Sequence, residues 1–183
     1  MMILKNIFVC LLFISTNIVA QSYNPIDKGS KVHFVIKNFG INTGGDFSAL
    51  KGEIHFLPDS PESCKFDVTV ASSTVDTDNG MRDKNLDSDE YFDAAKFPVI
   101  QLVSTRIAKT NKTDDGFYYF TGNLTIKGVT KTISFPFQAK KINDDYLFTG
   151  NFEIDRTVFN VGEKNIVLSN YVAVSLSILA KKS

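Results

Sequence analysis

The sequence predicts an all-β fold: an eight-stranded antiparallel barrel with a short helix in the 77–97 loop. Three features carry that reading. Apolar and polar residues alternate with period 2 in eight separate runs, which is the pattern of strands with one buried face. Turn signals separate the runs, among them Asn42-Thr43-Gly44-Gly45, Pro58-Asp59-Ser60-Pro61, Asp114-Asp115-Gly116, Lys127-Gly128 and Asn143-Asp144-Asp145, so neighbours in sequence become hairpin partners. Nearly every run is polar on one side only, so one face of the sheet meets water and the other an apolar interior. Closing the sheet removes the exposed edges that eight such strands would otherwise present. A two-sheet sandwich is the alternative architecture. A transmembrane barrel would need the opposite polarity.

Taken in order, Met1 to Ala20 read as a cleavable export signal. Lys5 supplies the positive n-region, Ile7 to Ile14 the apolar h-region, and small Ala20 precedes Gln21. That run is shorter than the roughly 20 residues of a spanning helix. The expected organisation is a signal at 1–20 and one barrel domain at 21–183, exported to the periplasm or secreted, with no integral membrane segment after cleavage. Cys10 leaves with the signal, so Cys64 is the only cysteine of the mature chain and no intramolecular disulfide forms. With little but Lys65 nearby to activate it, Cys64 reads as a half-buried, inert thiol.

The strands follow. Ser30 to Lys37 places Val32, Phe34 and Ile36 on one face. Phe47 to Phe56 places Leu50, Gly52, Ile54 and Phe56 together, and Phe66, Val68 and Val70 alternate with Asp67 and Thr69. Ile100 and Leu102 come next, followed by Tyr118, Phe120, Gly122 and Leu124 on one register. Phe135 and Phe137 form the sixth run, Phe148, Gly150 and Phe152 the seventh, and Val172, Val174, Leu176 and Ile178 the last. Gly52, Gly122 and Gly150 on the inward register suggest sharp coiling or room inside. Sixteen Phe and no Trp make an interior of rings without polar handles.

The segment Thr77 to Phe97 breaks the alternation. Asp87 followed by Glu90 resembles a capping box, which predicts a short helix around Ser88 to Phe92. Leu86, Tyr91 and Phe92 would then face the barrel as a lid over one mouth, with Asp87, Ser88 and Asp89 in water. Loops of this length in compact domains usually have a function.

Composition excludes several function classes. With 20 basic and 20 acidic residues there is no charged stripe to recruit nucleic acid or an anionic membrane surface. The two histidines, His33 and His55, fall on the polar register of their strands. No zinc spacing, phosphate loop or nucleophile elbow occurs, and the acidic run Asp83 to Asp93 lacks calcium-loop spacing. The expectation is no catalytic residue, no metal and no cofactor. The sequons Asn111-Lys-Thr113 and Asn123-Leu-Thr125 would stay bare in a bacterial periplasm.

Four stretches resemble one known family across almost the whole mature chain. They are Ser30-Lys-Val-His-Phe34, the block Met81-Arg-Asp-Lys-Asn-Leu86 running on through Phe92-Asp93 to Phe97-Pro98, Gly122-Asn-Leu-Thr-Ile-Lys-Gly-Val-Thr-Lys131, and Arg156-Thr-Val-Phe-Asn-Val-Gly162. Together they are similar to the YceI-like lipid/polyisoprenoid-binding family. Asn38 departs from it, standing where many members carry His. The resemblance implies a lipocalin-like barrel in the periplasm that holds a long isoprenoid or fatty lipid as ligand.

From alternation alone, the inward residues named above could equally be a packed core or the wall of a channel. The resemblance favours the channel. Arg82, Asp83 and Arg156 are candidates either for holding a ligand head group by charge-assisted hydrogen bonds or for fixing the loop to the barrel. The functional expectation is a soluble carrier or store for a polyisoprenoid or similar lipid, as a monomer or homodimer. Its alternative is a ligand-free, solid-core barrel serving as a periplasmic protein-interaction or stress-response module.

Overall fold

The computed structural model describes residues 21–110 and 116–183. The export signal, Cys10 and the Asn111 sequon lie outside the described residues. Ten strand segments form one antiparallel sheet: β1 (Gln21–Pro25), β2 (Lys31–Asn38), β3 (Ile41–Phe47), β4 (Lys51–Phe56), β5 (Lys65–Ala71), β6 (Val99–Lys109), β7 (Phe117–Ile126), β8 (Val129–Ile142), β9 (Asp145–Asp155) and β10 (Leu168–Lys182).

These ten segments close as an eight-stranded barrel, because two of its staves are each built from two segments. Along one edge of β10, β2 pairs with Leu168 to Ser177 and β1 with Ala180 to Lys182. On their far side, β3 pairs with β2 and β4 with β1. From β4 the ladder runs through β5, β6, β7, β8 and β9 back to β10.

The structure corrects the reading of the second strand. Asn42 to Gly45 is not a turn but the body of β3. The turn is Phe39-Gly40, both at positive φ (50° and 78°), as a tight two-residue hairpin requires. Gly45 belongs in a strand because a Cβ there would sit 2.6 Å from the Phe34 ring and 2.7 Å from Thr77 Cγ2. The single run expected from Phe47 to Phe56 breaks at Ser48 to Leu50, where Ala49 takes a φ of 56° and the Leu50 N–H donates to Asp27 Oδ1. That corner moves the chain from beside β2 to beside β1. Gly52 does not open the interior: at φ 122° it lets β4 approach β5 where a Cβ would strike the Asp67 carbonyl.

One end of the barrel is solid. Tyr23, Phe56, Phe66, Tyr118, Phe120, Phe137, Tyr146 and Phe148 form one buried cluster. Phe56, 1% exposed, lies at its centre, with ring centroids 5.3 Å from Tyr118, 5.0 Å from Tyr146 and 5.2 Å from Phe148, all in edge-on geometry. The tyrosines turn their polar tips outward: Tyr23 Oη donates to Gln21 Oε1 and Tyr118 Oη to the Pro58 carbonyl. Cys64 is fully buried beside this cluster rather than half-buried, and burial pushes its thiol pKa up.

Truncating the central ring leaves a cavity that its neighbours cannot refill. Phe56→Ala should cost about 3–5 kcal/mol in urea unfolding, as other buried Phe→Ala changes do.

Candidate functional site

The other half of the barrel is hollow. A cavity of about 530 Å³ opens at the end opposite the solid cluster and is walled by inward side chains from all eight staves. Val32, Phe34 and Ile36 contribute from β2, Val68 from β5, Ile100 and Leu102 from β6, and Leu124 from β7. Phe135, Phe152 and Leu176 complete the wall, and Phe135 stacks on both Phe120 (4.9 Å) and Phe152 (4.6 Å). At the bottom lie Ile54, Phe66, Phe120, Phe137 and Phe148, which belong to both the cavity and the solid cluster.

Of the expected wall residues, only Phe56 is misplaced. It sits below the cavity, inside the solid cluster, because the interior is filled with rings at that level. Phe47 was missed as a wall residue. It packs 5.6 Å from Phe34 and 5.4 Å from the lid ring of Phe92, and its place in the alternation two positions after Gly45 was its only signal.

The 77–97 segment covers the mouth, and Leu86, Tyr91 and Phe92 all line the cavity. Its helix is not where the Asp87/Glu90 pattern placed it. Helix α1 spans Gly80–Leu86, N-capped by Asn79, whose side chain accepts the Arg82 N–H at 3.0 Å, and Asp87 is its C-cap. Residues 88 to 97 form successive turns instead. Past Asp87 the chain closes on itself instead of continuing the helix: the Phe92 N–H donates to the Leu86 carbonyl (3.0 Å), the Asp93 N–H to that of Ser88 (2.8 Å), and Asp93 takes a positive φ of 48°. Asp89 is exposed as expected, whereas Asp87 and Ser88 are half-buried.

Three sets of hydrogen bonds fix this lid. Asp46 and Asp76 exchange backbone hydrogen bonds of 2.8 and 3.0 Å, sealing β3 against the segment. Thr77 is held from both sides: Arg82 Nε donates to its Oγ1 (2.8 Å) and Nη2 to its carbonyl (2.7 Å), while Asp83 Oδ1 accepts its N–H and hydroxyl. Arg82 therefore borders the cavity while clamping the lid, and Asp83 does not reach the cavity. Lys127, at the β7–β8 turn, donates to the carbonyls of Asp89, Glu90 and Asn160. Lys127 lies within the Gly122 to Lys131 block, where its positive φ of 49° marks only a turn.

Arg156 fixes a different segment, residues 161–169. It is 3% exposed and donates to the carbonyls of Ser169 (2.9 Å), Val161 (2.7 Å), Glu163 (2.9 Å) and Leu168 (3.4 Å). Burial pulls its pKa below the ordinary arginine value, and the carbonyl cage replaces the lost water around a group that stays cationic. Neighbouring Asp155 caps the following 3₁₀ turn, and the Thr157 hydroxyl and N–H hold its carboxyl below the usual carboxylate range. Both arginines are thus placed as loop-fixing groups.

The histidines lie on the strand faces turned away from the interior. His33 Nδ1 is 2.7 Å from Asp46 Oδ1, and His55 Nδ1 is 2.9 Å from Ser22 Oγ. Among the described residues no three His, Cys, Asp or Glu side chains converge as metal ligands. No helix among them is long and apolar enough to cross a membrane. Asn38, in place of histidine, stands at the mouth with Thr43, Thr77 and Asn85, and the apolar side chains of Phe39, Ile41 and Met81 are exposed on the rim.

A closed barrel, solid at one end and hollow at the other beneath a fixed lid, defines a barrel-type binding protein. The YceI-like domain family model matches residues 23–180. Protein YceI of Salmonella agona is 35% identical over 142 residues, covering 75% of this chain and 72% of that protein. Among solved structures, Burkholderia cenocepacia BcnA superposes with a TM-score of 0.78 at 26% identity, covering 84% of this chain and 98% of that one. The Campylobacter jejuni YceI protein gives 0.68 at 28% identity, covering 76% and 84%. A polyisoprenoid-binding domain from Saccharophagus degradans gives 0.71 at 14% identity, covering 88% and 98%, a likeness of fold alone. The chain belongs to the YceI-like family.

Arg156→Ala would remove a buried guanidinium that serves four backbone carbonyls. It should lower stability by at least about 3 kcal/mol in urea unfolding, well beyond the loss expected for an exposed arginine.

Proposed function

We propose that this protein is an exported, soluble, non-enzymatic carrier or store that holds a polyisoprenoid or similar long-chain lipid in the hollow half of its barrel. The observation that carries this reading is the cavity itself: about 530 Å³, walled by aliphatic and phenylalanine side chains, with polar groups gathered near the mouth. A space of that size and character falls in the range of small-molecule sites. Burying hydrocarbon supplies about 0.8 kcal/mol per CH2, so a few isoprene units give ample affinity for a ligand that water rejects. The S. degradans domain, described as polyisoprenoid-binding, lends the ligand class further support through its shared fold. The N-terminal signal pattern supports export, and the mouth, with its polar groups, is where a head group would reach water.

Purification without detergent, extraction into organic solvent and mass spectrometry should recover a hydrocarbon-chain lipid at close to one per protein. A clean absence of any such ligand in repeated preparations would favour the ligand-free barrel acting as an interaction or stress-response module.

The lid gives a second test. Leu86 and Phe92 line the cavity from the lid, outside the solid cluster. Leu86→Ala combined with Phe92→Ala should speed release of a bound lipid about tenfold or more while lowering stability by less than a core truncation, because lid contacts open locally. An unchanged release rate would make the segment a structural plug.

A further inference from the structure

The cavity has a floor, and the floor has consequences for ligand length. Phe66, Phe120, Phe137 and Phe148 line the bottom of the cavity on one side and pack into the solid cluster on the other. They brace one another: Phe66 lies 6.1 Å from Phe120, 5.6 Å from Phe137 and 5.3 Å from Phe148. Beneath them Phe56 lies 6.3 Å from Phe66 and 5.2 Å from Phe148, and Tyr118 stacks on Phe137 at 5.5 Å. All four floor rings are at most 8% exposed. A floor of interlocked rings, backed by a second ring layer, cannot step aside for a chain end without opening voids in the packed cluster.

We propose that this four-ring floor is a chain-length ruler, so that affinity for an isoprenoid chain stops rising at the length that fits between floor and mouth. The inference rests on the lipid-binding reading above and adds to it the ligand's size. A methylene takes up about the volume of one liquid water, roughly 30 Å³, so a cavity of about 530 Å³ encloses roughly 15–20 carbons, or about three to four isoprene units. Up to that length each unit exchanges water for the apolar wall. Beyond it, further units stay outside the cavity and gain little. The floor rings are specificity-determining residues because they decide where the gain stops.

Leu176 sets the same limit from the side. It lines the cavity and packs against the solid cluster while remaining partly exposed. Because Leu176 borders the cavity, Leu176→Phe should take up part of that space and shorten the ruler, with urea unfolding checking that the barrel stays folded.

The test is a length series of prenols with two, three, four, six and eight isoprene units, titrated into delipidated protein against a fluorescent fatty acid. The expected result is an affinity that rises at least about tenfold per unit up to four units and changes less than about threefold beyond. Leu176→Phe should move the break to a shorter prenol by about one unit. Phe148→Ala should move it to a longer one, with native mass spectrometry of the folded fraction as the readout if the variant is destabilised. Affinity that keeps climbing through six and eight units, or a break that neither variant moves, would overturn the ruler while leaving lipid binding intact. Failure of every prenol to displace a bound fatty acid would overturn the isoprenoid ruler while leaving lipid binding intact, and failure of the fatty acid and the prenols alike to bind would overturn the lipid-binding reading.

Discussion

The rest of the structure depends on β10. It pairs with β9 along one edge and with two successive strands, β1 and β2, along the other. That double pairing turns an open sheet into a closed ring and leaves β10 without an exposed edge. Closure also sets the interior diameter. Eight staves enclose a space that side chains can fill or that a slender ligand can occupy, and ring size alone does not decide between the two.

Side-chain volume decides it, and differently at the two ends. Where Tyr23, Phe56, Tyr118 and Tyr146 point inward, rings from opposite staves meet edge to face and the space is filled. Toward the mouth, aliphatic Val32, Ile36, Val68, Ile100, Leu102 and Val172 share the wall with the rings of Phe34, Phe47 and Phe152, and a cavity remains between them. Cavity and packed core, posed as alternatives for the whole interior, therefore each occupy one half of it. The solid cluster, joined by a second buried one of Leu124, Ile126, Phe159 and Val161 against the lid rings Tyr91 and Phe92, supplies the stability that lets a cavity exist in a small barrel.

The lid shows how a loop rich in charge can be ordered over an apolar mouth. Its backbone is held by charged groups on it and beside it. Lys127, from the β7–β8 turn, gathers the Asp89 and Glu90 carbonyls, and Arg82 and Asp83 together enclose Thr77. Such bonds satisfy the polar atoms of a segment without regular structure, which would otherwise be costly to bring near an apolar space. With the backbone held from outside, Leu86, Tyr91 and Phe92 can face inward together.

The alternation of apolar and polar residues by itself determined the all-β class, the antiparallel order and the inward faces of the long strands, and its interruption marked out the 77–97 segment. Each of these follows from local periodicity, which a strand imposes on its own residues. What it did not determine required partners distant in sequence. The strand β3, with Gly44-Gly45 in its body, is a strand only because β2 lies beside it and the Phe34 ring and Thr77 need the space a side chain would take. The five-residue β1 is too short to show a period and exists because β4 and β10 pair on either side of it. The lid helix ends at Leu86, and the turns after it fold back so that the Phe92 N–H meets the Leu86 carbonyl and Tyr91 and Phe92 reach the cavity. The depth of the cavity, and Phe56 lying below it, came from rings of β4, β5, β7, β8 and β9 meeting in three dimensions. Period 2 tells which side of a strand a residue faces. Only tertiary packing decides what it meets there.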